Sequence, residues 1–470
     1  ETRSGDALLS AERRDVILLN AEALSASGLG EIDLAGSGSF TLDSDAVLTL
    51  AYGGGLGVVA GRTATLDGSV TIASGRIEVE TVVLPFGNAF TAADDTLAVG
   101  SYDIVVNGTL DVAGRFVNDF GLSDTQQGGG YLDGGSITLI GAANALIANP
   151  VDANSSIDVS GSILVNDGAL LDLSAGARVA PDGSAELNGA GGDLTLINQT
   201  RYFGEANFDT APSAPTVALG DFTGYRVTGN NRGNFIQPTP ERINARIVLA
   251  DGSVRAHGFE DAGTLTVVTP AIALADQPAE TGFNLSQSLI AEAGFGAIDI
   301  TSYATHIERN NFANALGGYN AVLATQTLRI GAGELLNLSR QLLPTVLDDA
   351  QRQALIALPG GADLYSVLQP SVPVDSFDQR GIDLSLQGPI ELIVDAGGSI
   401  TGAAETTLTV NKLRNDGSIR IAGGRIVQRE FTVFDESNGG QPVYAVRDLD
   451  EAFSKQSDGR YSENGGNLLG

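Results

Sequence analysis

His257 and His306 are the only imidazoles in the 470 residues. Each has a carboxylate close by in sequence, Asp261 and Glu308, that could orient it as a base or share a metal with it. A His-Glu-x-x-His spacing, which would put two ligands on one helix face, does not occur. Structural roles are expected for both. The adjacent aspartate pairs are Asp94-Asp95 and Asp348-Asp349. Neighbours on a strand point to opposite faces, so adjacency does not make a general acid/base dyad, and solvated turn carboxylates are expected. Cysteine is absent, which removes thiol nucleophiles and every cysteine metal site. Lys412 and Lys455 are the only lysines, leaving little scope for a lysine base. Calcium needs six to eight oxygen ligands, but neither an EF-hand loop nor a Gly-Gly-x-Gly-x-Asp nonapeptide repeat is present. The residues therefore predict no enzyme, no metal and no cofactor.

The residues best suited to bind something lie in 199–244. Six of the chain's aromatics gather there, Tyr202, Phe203, Phe208, Phe222, Tyr225 and Phe235, with Arg201, Arg226, Arg232 and Arg242 among them. Aromatic faces with guanidinium forks suit sugar rings and carboxylates. Arg201, Tyr202, Tyr225, Arg226 and Arg232 are the candidate ligand-binding set. The competing reading is that these aromatics staple a long loop to the body of the protein.

The elements that would carry such a loop are short strands. A pattern of glycine, small polar, apolar, any, apolar recurs at 68–72, 108–112, 135–139, 161–165, 192–196, 263–267 and 417–421. Alternation of this kind puts two side chains on one strand face. The glycine is expected to permit the turn that starts each strand. Residues 68–79 (GSVTIASGRIEV) and 417–428 (GSIRIAGGRIVQ) keep the same register through strand, glycine turn, Arg and Ile. Asp167-Gly168 and Asp182-Gly183 punctuate the densest stretch, 156–198. Asp-Gly also makes hairpin turns, but the strands are too short and numerous for one sandwich. The expected fold is all-β, a right-handed parallel β-helix with loop and short helical insertions. About 15 to 18 coils of about 20 to 25 residues would make a stem about 70 to 90 Å long. Ile157, Val159, Leu171, Leu173, Leu194, Leu196, Ile419 and Ile421 are the predicted core. The stem is assigned to 1–198, 245–333 and 381–434. Insertions are assigned to 199–244 (Pro/aromatic-rich) and 334–380, and an irregular segment to 435–470. Leucine spacing predicts a helix over 334–358, kinked or divided at Pro344, outside the stem.

The chain carries 57 acidic and 26 basic residues, a net charge of −31. Such a surface repels nucleic-acid phosphates, so nucleic-acid partners are not expected. No apolar run approaches the ~20 residues of a membrane-spanning helix. Met and Trp are absent with Cys. Both oxidise, which suits an extracellular setting, and a chain without an initiator Met is expected to be a fragment or a processed product.

Residues 157–196 (IDVSGSILVNDGALLDLSAGARVAPDGSAELNGAGGDLTL), 294–307 (GFGAIDITSYATHI) with TQTLRIGAGELLNL from 325, and 397–424 (GGSITGAAETTLTVNKLRNDGSIRIAGG) carry a family likeness. In rhythm and composition the chain resembles filamentous haemagglutinin-like exoproteins of Gram-negative bacteria, exported by two-partner secretion. The resemblance implies a secreted or cell-surface, outer-membrane-associated location and passage through an outer-membrane transporter. It implies an adhesin or fibre role in attachment or biofilm, with partners that are host or bacterial surface glycans or proteins, or other copies of the chain. A purely structural filament is the alternative, and a polysaccharide-degrading β-helix enzyme ranks third. The Asn-Pro motifs of that family's amino-terminal secretion domain are not present as a set. An interior or carboxy-terminal part of a larger protein is therefore expected.

Overall fold

The computed structural model describes residues 17–428 except 83–99, 124–129, 143–145, 149–155, 199–215, 227–244, 275–281, 310–318 and some shorter breaks, and a few short strands beyond. Strands dominate, and most of them pair in parallel. One sheet has ten strands in sequence order, from Glu31–Gly36 through Ser136–Ile140, Asp193–Ile197 and Thr264–Thr269 to Arg425–Gln428. After each of the first strands the chain passes to a second sheet and then to a third before returning. One such round is Arg76–Thr81, Ile104–Val106, Thr109–Asp111, and another is Ser136–Ile140, Ile163–Val165, Leu170–Asp172. Ten strands at about 4.8 Å spacing give a stack of about 43 Å, shorter than the 70 to 90 Å expected. Fewer rounds form because much of the chain leaves the sheets between strands.

Inward residues alternate as the two-residue period requires. Leu171, Leu173, Leu194 and Leu196 are fully buried, in one cluster running from Ile32 to Val410. Ile419 and Ile421 pack against that cluster but are only partly buried, since their strand pairs on one side only, with Ser399–Gly402. Ile157 lies on Ser156–Asp158, which pairs antiparallel with Leu146–Ala148 outside the parallel sheets, and Val159 falls outside the described residues.

The recurring glycine has a different purpose from the one its sequence suggested. At Gly135, Gly192 and Gly263 no left-handed backbone is needed. Instead, a Cβ on any of them would collide with the carbonyl oxygen of Gly75, Gly135 and Gly192 respectively. These glycines stack one above another where the chain enters the ten-stranded sheet. The next residue's N–H continues the ladder, as in Ser136 to the Gly75 carbonyl (2.9 Å) and Asp193 to that of Gly135 (3.0 Å). The Asp-Gly turns divide. Asp167-Gly168 joins strands of two different parallel sheets at a corner, with Gly168 left-handed at φ +86°. Asp182-Gly183 closes an antiparallel pair, Arg178–Val179 with Ala185–Glu186, as the hairpin reading held. The matched segments occupy equivalent places: Ser69–Thr71 and Ser418–Ile421 each lead through a left-handed residue, Ser74 or Gly423, into the ten-stranded sheet.

The helix predicted over 334–358 needs correction. Leu335–Leu338 is a strand, parallel to Ser399–Gly402, with Leu336 and Leu338 in the main core. The helix is Asp349–Ala357 only. Alternate leucines at 336 and 338 satisfy a sheet as well as a helix, and the neighbouring strand decides between them. Asp348 caps the helix in a capping box with Gln351, and Asp349 sits in its first turn, which accounts for that carboxylate pair. The segment that follows Leu335–Leu338, a strand of a separate three-stranded sheet with Ser399–Gly402 and Ser418–Ile421, does not simply protrude. Leu343, Leu355, Leu364 and Leu368 join Phe116, Ala177, Val179 and Phe259 in a second buried cluster. The segment, here the strap (339–382), thus lies over chain leaving three successive rounds.

Candidate functional site

Outward residues of the third sheet align because its strands are in register. Thr71, Asp111, Asp172 and Arg255 form one column, with Asp111 opposite Asp172 and Asp172 opposite Arg255. Carboxylates at 111 and 172 therefore project from adjacent strands on one face, about 4.8 Å apart at the backbone. The strap covers the far end of this column. Arg255 Nη1 lies 3.5 Å from Asp172 Oδ2 and 3.5 Å from Asp363 Oδ2, bridging sheet and strap. Its guanidinium stacks 4.6 Å from the centre of the Tyr365 ring. The Tyr365 hydroxyl meets His257 Nδ1 at 2.5 Å.

The local sequence explains how each group is held. Asp172 Oδ1 accepts the Ser174 N–H at 3.0 Å and its hydroxyl, a turn that aspartate readily makes. Asp111 Oδ1 accepts only one such bond, from the Ala113 N–H at 2.9 Å. Asp363 N-caps the short turn Leu364–Ser366, accepting the Tyr365 N–H at 2.8 Å, which sets the Tyr365 ring beside Arg255. His257 is packed against the Gly294 backbone, where any Cβ would strike its ring.

Burial and like charge act on these groups together. Burial, followed by the Asp172 and Asp363 carboxylates, pushes Asp111 up to about 6, against the pull of the Ala113 N–H and Arg255. Asp172 is also raised, by burial first, with Ser174 and Arg255 opposing. His257 is lowered to about 4, by burial first and then by Arg255. Burial raises the Tyr365 phenol, which keeps it protonated and able to donate to a neutral imidazole. The arrangement places three carboxylates around one guanidinium, beside a neutral His–Tyr pair. Among the described residues no group of three or more His, Asp or Glu side chains is placed to hold a metal ion.

The sequence did not single out this cluster. His257 was noted, but its partner Tyr365 is 108 positions away. No spacing rule links Asp111, Asp172 and Arg255, which are brought together only by the register of separate rounds. The one usable signal was the strand pattern itself: residues 108–112 and 168–173 place an aspartate at the same outward position. Of the predicted ligand-binding residues, Arg201, Tyr202 and Arg232 lie outside the described residues. Tyr225 and Arg226 fall on Phe222–Arg226, which pairs antiparallel with Thr216–Leu219. His306 is on Ala304–Arg309, opposite Val322 of Tyr319–Ala324. Asp94-Asp95 is outside the described residues.

These three antiparallel pairs share a place in the fold. Leu146–Ala148 with Ser156–Asp158, Thr216–Leu219 with Phe222–Arg226, and Ala304–Arg309 with Tyr319–Ala324 each follow a strand of the ten-stranded sheet. Comparison with known proteins gives no match: no protein-family model, curated protein or solved structure resembles this chain closely enough to be matched.

Proposed function

We propose that the chain is the right-handed parallel β-helical stem of a secreted or cell-surface adhesin or fibre of a Gram-negative bacterium, acting in attachment or biofilm. The observation that carries this reading is the ten-stranded parallel sheet in sequence order, with antiparallel pairs leaving it at one corner. A stack of this kind grows by adding rounds and needs no new core for each, so it suits projection from a surface. Loops on a rigid scaffold are where binding concentrates. The likeness to filamentous haemagglutinin-like exoproteins points the same way and adds export by an outer-membrane transporter. The ligand is a surface glycan or protein, and the expected contact residues are Arg201, Tyr202, Tyr225, Arg226 and Arg232. Binding of the chain to bacterial and host cells and to a glycan panel is compared with that of a variant lacking residues 210–237. Loss of binding with an unchanged circular dichroism spectrum is the expected result. Binding that survives the deletion removes the contact set, and a chain that binds nothing leaves the filament role as the better reading.

The pair Asp111/Asp172 favours one second reading, cleavage of a polysaccharide, because two carboxyl groups on one face can act as acid and base or nucleophile. Polymer cleavage that disappears in Asp111→Asn is the result that would establish it.

A further inference from the structure

The two ends of the stack differ. At the first, Glu31–Gly36 pairs only with Gly55–Ala60 and Phe40–Leu42 only with Ala64–Leu66 among the described residues. The third edge there, Val47–Thr49, is covered by the helix Ala21–Ala26, whose Ser25 Oγ accepts the Thr49 N–H at 2.9 Å. Ile17, Leu18 and Leu19, just before that helix, are exposed. At the other end, Lys412–Asn415, Ser418–Ile421 and Arg425–Gln428 make a last round, and among the described residues each of its strands is likewise paired on one side only. Its inward residues are incompletely covered: Leu413, Ile419 and Ile421 are partly buried and Ile426 is exposed. The charges of the two ends are opposite. Residues 17–61 hold Glu22, Glu31, Asp33, Asp43 and Asp45 and no basic residue, whereas 412–428 hold Lys412, Arg414, Arg420 and Arg425 against Asp416 alone. All of these side chains are exposed. Arg414 reaches Asp416 at 3.2 Å, while Lys412, Arg420 and Arg425 meet no carboxylate among the described residues.

The ten-stranded sheet keeps one register from end to end. Ile32 of its first strand and Ile426 of its last stand in a single inward column, and Glu31 and Arg425, one position earlier, in the adjacent outward one. That outward column already joins opposite charges, Arg76 to Glu31. We propose that copies of this chain join head to tail, Glu31–Gly36 of one adding in parallel to Arg425–Gln428 of the next, so that the ten-stranded sheet runs on through the joint. Kept in register, the addition sets Glu31 beside Arg425 and Ile32 beside Ile426. It also lays the helix Ala21–Ala26 over Ser418–Ile421, where Ile419 and Ile421 are short of cover. Strand addition at a sheet edge draws its affinity from main-chain hydrogen bonds. Charged residues at an edge ordinarily keep other strands away; opposite signs at the two ends make like ends repel and unlike ends attract. A joint between unlike surfaces repeats from copy to copy, and yields a filament unless its rotation closes a ring. Such a joint gives the fibre reading its mode of assembly and rests on that reading.

Sedimentation of the complete chain over a wide concentration range, at low and high salt, tests the joint. The native chain is expected to form end-to-end oligomers that lengthen with concentration and shorten with salt. Arg425→Glu, a change at an exposed side chain, should weaken association about tenfold or more. Glu31→Arg should do the same, and the double variant Glu31→Arg/Arg425→Glu should restore it. Hydrogen exchange locates the contact: amides of Glu31–Gly36 and Arg425–Gln428 should gain protection with concentration in the native chain and not in Arg425→Glu. A chain that is monomeric at every concentration overturns the proposal, as do oligomers indifferent to both reversals or a double variant that does not recover. Protection of Arg425–Gln428 that does not change with concentration means that the same chain covers this edge, and overturns it too. Cell binding by a chain that stays monomeric refutes the joint and leaves attachment standing. End-to-end assembly by a chain that binds no cell supports the joint and the filament role.

Discussion

Two glycine substitutions separate the forces that shape this fold. Gly192 stands in the stack at the entry to the ten-stranded sheet, where an added Cβ would overlap the Gly135 carbonyl oxygen and lie 2.9 Å from the Gly134 carbonyl carbon. Neither atom belongs to a flexible side chain, so a backbone must move. Overpacking of this kind costs about 1–3 kcal/mol. Disturbing the Asp193 N–H bond to the Gly135 carbonyl adds about 1 kcal/mol. Gly192→Ala should therefore cost about 2–4 kcal/mol. Gly168 is the control. It is left-handed at φ +86° with nothing within 4 Å of an added Cβ, so alanine there meets only the backbone penalty of about 1–2 kcal/mol. Because stacked rounds can unfold in parts, urea titration should be read by hydrogen exchange at Ser136–Ile140 and Asp193–Ile197 as well as by circular dichroism. Gly192→Ala should weaken those strands first, whereas Gly168→Ala should act at its own corner. If Gly192→Ala costs less than Gly168→Ala, or less than about 0.5 kcal/mol, close stacking of glycines is not what the sequence pattern encodes.

Leu173→Asp should cost several kcal/mol, since Leu173 is fully buried among aliphatic side chains and the carboxylate would have no partner; an unchanged thermal midpoint would refute the register. Asn118→Ala removes both bonds to the strap carbonyls and the acceptor of the Phe120 N–H, and a cost of about 1–3 kcal/mol that includes lowered protection in 349–368 is expected. Glu405 is exposed and left-handed at φ +68°, so Glu405→Gly should raise the melting temperature by relieving about 1 kcal/mol of strain; a fall would show that its side chain contributes more than the strain costs.

The sequence by itself determined the class of local structure. Two-residue alternation specifies short strands with one buried face, and that holds at Leu171, Leu194, Leu265 and Leu408 alike. It also determined the low stock of basic groups, and hence a cluster in which Arg255 serves three carboxylates. What it did not determine was which sheet each strand joins. The same motif makes third-sheet strands at Ser69–Thr71 and Thr109–Asp111, ten-stranded-sheet strands at Ser136–Ile140 and Asp193–Ile197, and a second-sheet strand at Ile163–Val165. A strand's own pattern records that one face is buried but not against what. Leu335, Leu336 and Leu338 gave the wrong element for the same reason, since only the neighbouring Ser399–Gly402 strand makes them a ladder. The candidate cluster lay further out of reach. Asp111, Asp172, Arg255 and Tyr365 come from three rounds and a strap, and each alone reads as a surface residue. Register between rounds is a tertiary property, set by the stacking of glycine carbonyls and the shared core, and it alone turned scattered residues into a column.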